Sequence, residues 1–421
     1  MKTKMSEFNY KDGQLLVEEV RLLEIAEKFS TPCYIYSKNT IQKNFLAYKE
    51  AFDKDQNRNH QVCYSVKANS NLSVLKILAQ LGSGFDIVSG GELQRVIRAG
   101  GNPSKIVFSG VAKTRVEIND AISAGVKCFN VESITELKRI DEVAKNINRV
   151  ANISIRVNPD VDAETHPYIS TGLKENKFGI SIDEALDVYK FSQTLDHINI
   201  IGVDCHIGSQ LTSLLPFIDA LKRVISLIDQ LEQIGIEIEH IDIGGGLGVS
   251  YKDETLPTPK DYIESLLKTL GSRKQNLIIE PGRSIIANAG ALLTKIDTIK
   301  TNDKKNFAIV DAGMNDLLRP SLYNAWMDVI PVIENTSSST NVYDIVGPVC
   351  ETGDFIAKDR ILSIKEEDLL CVCSAGAYGF VMSSNYNSRG RAAEVIVDGD
   401  KIHLARKRET IDDLLNGEII I

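Results

Sequence analysis

The sequence QVCYSVKANSN, residues 61–71, places a lysine directly after a short apolar run. The run Val62–Val66 is typical of a buried strand, whereas Ala68 to Asn71 are poor strand formers. Lys67 is therefore either a surface cation at a strand end or an amine with a chemical task. A lysine can form a Schiff base with a carbonyl compound once burial or cationic neighbours lower its pKa.

Polar, glycine-rich and ionisable residues also follow the other apolar runs of the first 285 residues. They are Asp86 with Ser89-Gly90-Gly91, Ser109-Gly110, Glu132, Arg156 with Asn158, His206 with Ser209, Gly244 to Gly248, and Glu280 to Arg283. The opposite ends of the same runs carry no such collection. If the runs are the strands of a parallel barrel, these residues converge on one mouth, where such folds place their active sites.

The glycine run GGGLG, residues 244–248, is a candidate phosphate site. Consecutive glycines allow backbone N–H groups to approach a phosphate closely, although a plain tight turn is the alternative. The run is neither GxGxxG followed by a dinucleotide-type unit nor GxxxxGK[ST], which argues against NAD and ATP.

His206 and Glu280 are candidates for holding a planar cofactor. A lone histidine is more often a core residue, but at a strand end beside Ser209 the ring of His206 can stack on a flat ligand. Glu280 also ends a strand, and a buried carboxylate is costly unless it is paired, for example with a protonated pyridine nitrogen. Together with the lysine and the glycine run, these residues predict pyridoxal 5′-phosphate (PLP), with Lys67 binding its aldehyde.

The elements that would position these residues alternate between strand and helix. Eight apolar runs predict strands at Val62–Val66, Gly84–Val88, Lys105–Phe108, Lys127–Asn130, Ala151–Val157, Asn199–Cys205, His240–Ile243 and Leu277–Glu280. Helical spacing of apolar residues recurs at 71–82 and 211–235, and a further helix is expected at 37–52. This α/β pattern favours a (β/α)8 TIM-type barrel, whose typical size is about 250 residues. An open doubly wound sheet is the alternative.

After residue 285 the pattern changes to short strands with turn signals, such as KNFAIVDAG and AAEVIVDGDKIHLARKRE. This predicts a mostly β second domain, and the strand-like TPCYIYS near the N-terminus is expected to join it. The expected domains are a PLP-binding barrel over 37–285 and a β-rich domain from 1–36 and 286–421. Residues 334–341, ENTSSSTN, are predicted to form a polar loop.

The composition excludes several classes of protein. A net charge of −9 argues against a general nucleic-acid binder. The chain has no apolar run of about 18 residues and begins without the apolar core of a signal peptide, so no membrane segment is predicted. The seven cysteines are scattered, without CxxC or Cys/His zinc spacing. This predicts reduced thiols in the cytoplasm and no metal site.

The sequence resembles the diaminopimelate decarboxylases, which belong to the PLP-dependent decarboxylases of the alanine-racemase-like fold group. The motifs that carry the resemblance stand in the family's order from about residue 30 to 415: YSVKAN, GFDIVSGGEL, HPYISTG with KFGI, HIGSQ, GGGLG, EPGRSI, GPVCETGD, and GAYG with SSNYNSR. The resemblance implies removal of CO2 from the D-centre of meso-2,6-diaminopimelate to give L-lysine, the last step of lysine biosynthesis. It also implies a homodimer whose active sites are shared between subunits.

The resemblance further implies a role for each site residue. Lys67 would form the Schiff base, His206 would stack on the ring, and Glu280 would pair with the ring nitrogen. The phosphate would be held by Ser209, Gly244, Gly245, Gly246 and Tyr378, and the cofactor set would be completed by Asp86, Gly282 and Arg283. The substrate would be bound by Arg283, Arg319, Tyr323, Glu351 and Tyr378. Cys350 would donate a proton to the carbanion, and Cys350 and Glu351 would come from the other subunit.

Three of these residues also have simpler interpretations. Cys350 alone is more often a small buried apolar residue, but the turn-rich GPVCETGD sequence indicates an exposed loop. Arg319 before Pro320 is compatible with a surface residue, although the planar fork of an arginine suits a carboxylate. Tyr378 between Ala377 and Gly379 is compatible with simple packing.

Several rival functions share the predicted cofactor. The nearest are decarboxylases of the same group that act on ornithine, lysine, arginine or carboxynorspermidine. The pair Arg283 and Arg319 favours a substrate with a distal carboxylate. An alanine racemase would not need a glutamate beside the ring nitrogen. A non-catalytic PLP carrier would be a single barrel, and a binding-only regulator would be expected to lack Lys67 or Cys350.

Overall fold

The computed structural model describes residues 5–161, 177–334 and 340–421. The HPYISTG segment at 166–172 and most of the predicted loop at 334–341 lie outside the described residues. None of the helices in these three ranges is long and apolar enough to cross a membrane.

The chain divides into two compact units. The barrel unit consists of Asn44–Val249 and Thr255–Ser284, and the β unit consists of Met1–Lys43, Ser250–Glu254 and Ile285–Ile421. Each unit is therefore built from more than one stretch of the chain.

The first elements include a small antiparallel sheet that the sequence analysis did not predict. The elements up to the barrel are β1 (Phe8–Lys11), β2 (Gln14–Val17), β3 (Val20–Arg21), α1 (Leu22–Phe29), β4 (Cys33–Ser37) and α2 (Lys38–Phe52). Asp12 and Gly13 both have positive φ, 51° and 73°, at the turn between β1 and β2. Asp-Gly is the pair that a two-residue hairpin turn of this hand favours.

The barrel consists of eight parallel strands, as predicted. The strands of this sheet are β5 (Gln61–Ser65), β6 (Gly84–Ile87), β7 (Ile106–Phe108), β8 (Cys128–Val131), β9 (Ala151–Asn158), β10 (Ile180–Ser181), β11 (Ile198–Asp204), β12 (His240–Asp242) and β13 (Asn276–Ile279). The two-residue β10 extends β9 outside the ring. The pairings of β8 with β9 and of β13 with β5 close the sheet, so the open doubly wound alternative is wrong.

Within the described residues, seven helices of the barrel unit follow α2. They are α3 (Leu72–Gln80), α4 (Gly90–Arg98), α5 (Arg115–Ala124), α6 (Ile134–Asn146), α7 (Ile182–Ser192), α8 (Leu215–Gln233) and α9 (Pro259–Leu270). Side-chain caps fix several starts: Ser89 accepts from the Glu92 N–H, and Thr114 forms a capping box with Glu117. Helix α8 begins four residues after the predicted start at 211.

The interior of the barrel is apolar at one level and polar at the next. Buried Cys63, Val107, Cys128, Ile201 and Ile278 form an apolar cluster. Nearer the C-terminal ends of the strands, the buried residues include Asp86, Asn130, Asp204, Asp242 and Glu280. Such a concentration of buried acids is costly in a plain structural core and indicates a functional site.

The β unit contains a separate sheet, with nine strands among the described residues. Its remaining elements are α10 (Arg283–Ile286), β14 (Gly290–Thr301), β15 (Asn306–Val310), α11 (Arg319–Tyr323), β16 (Val329–Pro331), β17 (Asn341–Val346), β18 (Phe355–Leu362), β19 (Leu369–Val372), β20 (Ala393–Asp398), β21 (Lys401–Arg406) and α12 (Ile411–Leu415). The main strand order is β18-β17-β15-β14-β4-β20-β21, with β19 pairing β14 and β16. Strand β4 lies between β14 and β20, which confirms that the N-terminal strand joins this domain.

Candidate active site

Lys67 lies on a single 3-10 turn, Val66–Ala68, directly after β5. Its Nζ is 2.6 Å from Oδ2 of Asp86, and the Lys67 side chain is 37% exposed while that of Asp86 is fully buried. The amine is thus reachable from the mouth of the barrel and is oriented by a carboxylate beneath it.

Ser65 connects this pair to the last strand of the barrel. Its Oγ lies 2.7 Å from Asp86 Oδ2 and 3.1 Å from the carbonyl oxygen of Glu280. The other oxygen of Asp86, Oδ1, is buried and has no hydrogen-bond partner among the described residues. The C-terminal ends of β5, β6 and β13 therefore meet at one place, as the sequence analysis expected.

Glu280 belongs to a compact group of buried acids. Oxygen atoms of Glu280, Asp204 and Asp242 all lie within 4.8 Å of one another. Burial, followed by the charges of Asp242 and Asp86, raises the pKa of Glu280 well above its usual value. Burial likewise raises the pKa of Asp242 to about 7, against the hydrogen bond from the Gly244 N–H.

The Glu280 carboxylate has two long hydrogen bonds from neutral side chains and a further one with its acidic neighbour Asp242. Ser109 Oγ and Asn130 Nδ2 lie 3.4 Å and 3.5 Å from Glu280 Oε1. A cationic N–H would therefore meet a buried carboxylate whose hydrogen bonds come from neutral groups and from another acid.

His206 contacts the glycine run through its ring. The Gly245 N–H donates to Nδ1 of His206 at 3.1 Å, so Nδ1 carries no proton. Burial, and then the positive charges of Arg156 and Lys67, lower the pKa of His206 well below its usual value. The imidazole is consequently neutral at physiological pH, which suits a ring that stacks on a ligand without adding charge.

The glycine run is closely packed against its neighbours. Gly244 and Gly246 have positive φ, and a Cβ on Gly245 would overlap the carbonyl oxygen of Glu280. The Gly244 N–H donates to Asp242 Oδ1 at 2.9 Å, so this amide and that of Gly245 both have protein acceptors. These two glycines therefore act in this structure by leaving space and by fixing Asp242 and His206.

Arg283 and Ser209, both assigned to the cofactor, are in contact. Nη2 of Arg283 donates to Ser209 Oγ at 3.0 Å, and the Arg283 side chain is buried. A Cβ on Gly282 would lie 2.9 Å from the Cβ atoms of Ser65 and Ala68. Gly282 thus allows the EPGR turn to pack directly on the turn that carries Lys67.

In the β unit, Arg319 and Tyr323 lie on the same short helix, α11. The guanidinium of the buried Arg319 stands 4.8 Å over the ring of Tyr251, and its Nη1 is 3.7 Å from Met327 Sδ. The bland interpretation of Arg319 as a surface residue is wrong. Its planar group is held by an aromatic face, as is common for arginines that bind carboxylates.

Cys350 is exposed, whereas the other six cysteines are buried, and all seven are free thiols. Glu351, next in the chain, is also exposed and accepts a 3.3 Å hydrogen bond from the Tyr386 hydroxyl. Tyr378 has a φ of 54°, a strained value for an aromatic residue. The structure thus supports the exposed interpretation of Cys350 over the buried one.

Sequence reasoning missed several residues of the site. Asp242 and Asp204 are the last residues of β12 and β11, two residues before Gly244 and His206, and an acid at the end of a buried strand is the signal that could have identified them. Ser65 has the same relation to Lys67. Asn387 and Tyr386 were quoted only within the motif SSNYNSR.

Comparison with known proteins is consistent with this geometry. Residues 38–287 match the family model for the pyridoxal-binding domain of the pyridoxal-dependent decarboxylases. A diaminopimelate decarboxylase from Pseudomonas aeruginosa is 58% identical over 417 residues, which cover 99% of this chain and 100% of that protein. This chain belongs to the diaminopimelate decarboxylase family.

Solved structures of the family have the same fold. A diaminopimelate decarboxylase from Helicobacter pylori, complexed with L-lysine, is 45% identical and superimposes with a TM-score of 0.89, covering 94% of this chain and 98% of that one. The enzyme from M. jannaschii, also in complex with L-lysine, is 40% identical with a TM-score of 0.95 and covers 100% and 99%.

The family's cofactor, PLP, fits the residues present in this member. The partly exposed amine of Lys67 suits an aldehyde, and the buried carboxylate of Glu280 suits a pyridinium N–H. The glycine run packs directly on His206 and on the backbone of Glu280, which brings the ring that would stack on the cofactor and the acid that would pair with its nitrogen to the same place.

Proposed function

We infer that this protein is a diaminopimelate decarboxylase, which removes CO2 from the D-centre of meso-2,6-diaminopimelate and releases L-lysine. The observation that carries this inference is identity above 50% over nearly the full length with proteins of that name. The joining of Lys67, Asp86 and Glu280 at one barrel mouth supports the same chemistry.

Each residue of the barrel mouth has a task in the proposed reaction. When bound, PLP accepts the electron pair that departing CO2 leaves on the substrate carbon. Lys67 binds the cofactor aldehyde, and Asp86 holds the lysine amine in place. Glu280 keeps the proton on the ring nitrogen, which stabilises the negative charge that develops in the transition state.

The remaining tasks fall to residues that bind, orient and protonate. The neutral ring of His206 orients the cofactor, and Ser209, which is held by a hydrogen bond from Arg283, binds its phosphate. Arg319 and Glu351 bind the distal carboxylate and ammonium of the substrate, and Cys350 delivers the proton to the substrate carbon. General-acid help of this kind is commonly worth about 10²–10⁴-fold in rate.

The proposed function is tested by incubating the purified protein with PLP and meso-diaminopimelate and measuring L-lysine and CO2. Parallel reactions contain D-lysine, L-lysine, ornithine or arginine. We expect L-lysine and CO2 to form in the reaction with meso-diaminopimelate and no decarboxylation in the parallel reactions. If the protein decarboxylates only one of the other amino acids, the PLP chemistry would stand. The assignment of Arg319 and Glu351 to the distal end of diaminopimelate would then be wrong.

Arg319→Ala should weaken substrate binding without removing the chemistry. A charge-assisted hydrogen bond is worth about 1.5–3 kcal/mol, so KM for meso-diaminopimelate should rise about 10- to 100-fold while kcat changes little. Arg319→Lys, which keeps the charge but not the planar fork, should give a smaller rise. Steady-state kinetics measure both, and an unchanged KM in the alanine variant would remove Arg319 from the pocket.

We also propose that the enzyme is a cytoplasmic homodimer in which Cys350 and Glu351 complete the partner's site. The exposure of both residues supports this arrangement, and the free thiols suit a reducing compartment.

Subunit mixing tests the shared site. Co-expressed Lys67→Ala and Cys350→Ala chains should regain about a quarter of wild-type activity, because random pairing makes half the dimers mixed and each mixed dimer has one intact site. Activity no higher than that of the two parent variants would mean that each site is built from one chain.

A further inference from the structure

The loop that carries Cys350 is held mainly by backbone hydrogen bonds, two of which are accepted by the side chain of Asp354. Asp354 accepts from the Val349 N–H at 2.7 Å and from the Met314 N–H at 2.6 Å, and the Glu351 N–H donates to the Val349 carbonyl at 2.7 Å. These bonds fix the two sides of the loop. They do not involve the N–H of Cys350 itself.

The N–H of Cys350 is held from a distant segment of the chain. It donates to Oδ1 of Asn387 at 2.9 Å, across a sequence separation of 37 residues. The preceding Tyr386 donates its hydroxyl to Glu351 at 3.3 Å. Two adjacent residues of one segment thus contact the two adjacent residues that we assign to proton delivery and substrate binding.

The segment that carries Asn387 is itself well braced. The Asn385 side chain donates to Glu409 at 2.8 Å and accepts from Arg391 at 2.8 Å, and Arg389 donates to the Asp311 carbonyl at 2.6 Å. Asn387 has a φ of 55° and a ψ of 30°, in the left-handed region that asparagine tolerates better than most residues. An asparagine at this position provides both the backbone turn and the acceptor.

We propose that Asn387 is a positioning residue that orients Cys350 for proton delivery through the hydrogen bond to its backbone N–H. The inference rests on the proposed function, because it assigns Asn387 to the step in which Cys350 protonates the substrate carbon. Asn387 contacts the backbone of Cys350 and leaves the thiol available to transfer its proton.

Two substitutions separate the hydrogen bond from the backbone conformation. Asn387→Gly keeps the left-handed turn but removes the acceptor, and Asn387→Asp keeps both. We expect Asn387→Gly to lower kcat about tenfold, a part of the 10²–10⁴-fold contribution of a general acid, with KM for meso-diaminopimelate unchanged. Asn387→Asp should restore most of kcat.

Two further readouts distinguish positioning from general support of the fold. The solvent deuterium isotope effect on kcat should increase in Asn387→Gly, because proton delivery becomes more rate-limiting. In a Cys350→Ala background, Asn387→Gly should lower kcat no further, since the residue acts through Cys350.

The outcomes separate this inference from the proposed function. Wild-type kcat in Asn387→Gly, or an equal tenfold loss in the Cys350→Ala background, would overturn the role of Asn387. Full kcat in Cys350→Ala alone would instead overturn the assignment of Cys350 as the proton donor.

Discussion

Lys67→Ala should lose nearly all turnover of meso-diaminopimelate. The variant has no amine at the end of β5 to bind the cofactor aldehyde. The expected loss is at least about 10³-fold in kcat, since covalent cofactor binding and positioning are removed together. The CO2-release assay measures this loss, and full activity in the variant would end the proposed function.

Lys67→Ala should also lower the stability of the apo-protein, and a double variant can show whether the lost ion pair with Asp86 is the cause. Asp86 is fully buried and would lose its ion pair with Lys67. Breaking a buried pair costs about 3–5 kcal/mol, but the partial exposure of Lys67 reduces the expected cost to about 1–2 kcal/mol. Asp86→Asn combined with Lys67→Ala should recover the apo-protein's thermal stability without recovering activity. A double variant as unstable as Lys67→Ala would show that the ion pair is not the cause.

The barrel and the location of its site could be predicted because they depend on local patterns. Strand β7 is apolar and buried on both faces, as the strands of a parallel barrel are, and a polar residue follows each such run. The position of Lys67 then follows from the rule that the C-terminal ends of barrel strands form the active site. The ends of the eight barrel strands differ from the predicted ones by at most one residue.

The contacts within the site could not be predicted in the same way, because they depend on long-range closure. Asp242 and Glu280 come together only when β12 and β13 pair in register. The pairing of Asn387 with Cys350 depends on two loops whose sequences carry no periodicity. The engagement of the Gly244 and Gly245 amides by Asp242 and His206 likewise depends on side-chain placement, which a glycine motif does not specify.

The buried acids give the site a cost in stability that the cofactor should relieve. Glu280, Asp242 and Asp204 cannot all be ionised at such short separations, so the folded apo-protein retains protons that the unfolded chain releases. A positively charged ring N–H beside Glu280 would compensate part of this charge. Glu280 therefore favours catalysis but lowers the stability of the protein without PLP.

Glu280→Gln should separate these two effects. Turnover should fall about 10²–10³-fold, because a neutral amide does not keep the ring nitrogen protonated and the developing charge is less stabilised. The apo-protein should nevertheless become more stable at pH 8, by about 1–3 kcal/mol, because one of the mutually repelling buried acids has been removed. Glu239→Gln makes the same chemical change at an exposed position and should alter neither quantity.

The raised pKa values of the buried acids determine how the stability of the apo-protein changes with pH. The folded-state pKa of Asp242 is raised to about 7 and that of Glu280 is also raised, whereas unfolded carboxyls titrate near 4. Between these values the folded state binds more protons than the unfolded state, so the stability of the wild-type apo-protein falls as pH rises from about 4 through 7. Glu280→Gln should flatten this decline, so its advantage should be absent at pH 4 and largest at pH 8. Denaturant unfolding of both apo-proteins across this range measures the difference, and parallel curves would show that Glu280 is not part of a proton-sharing group.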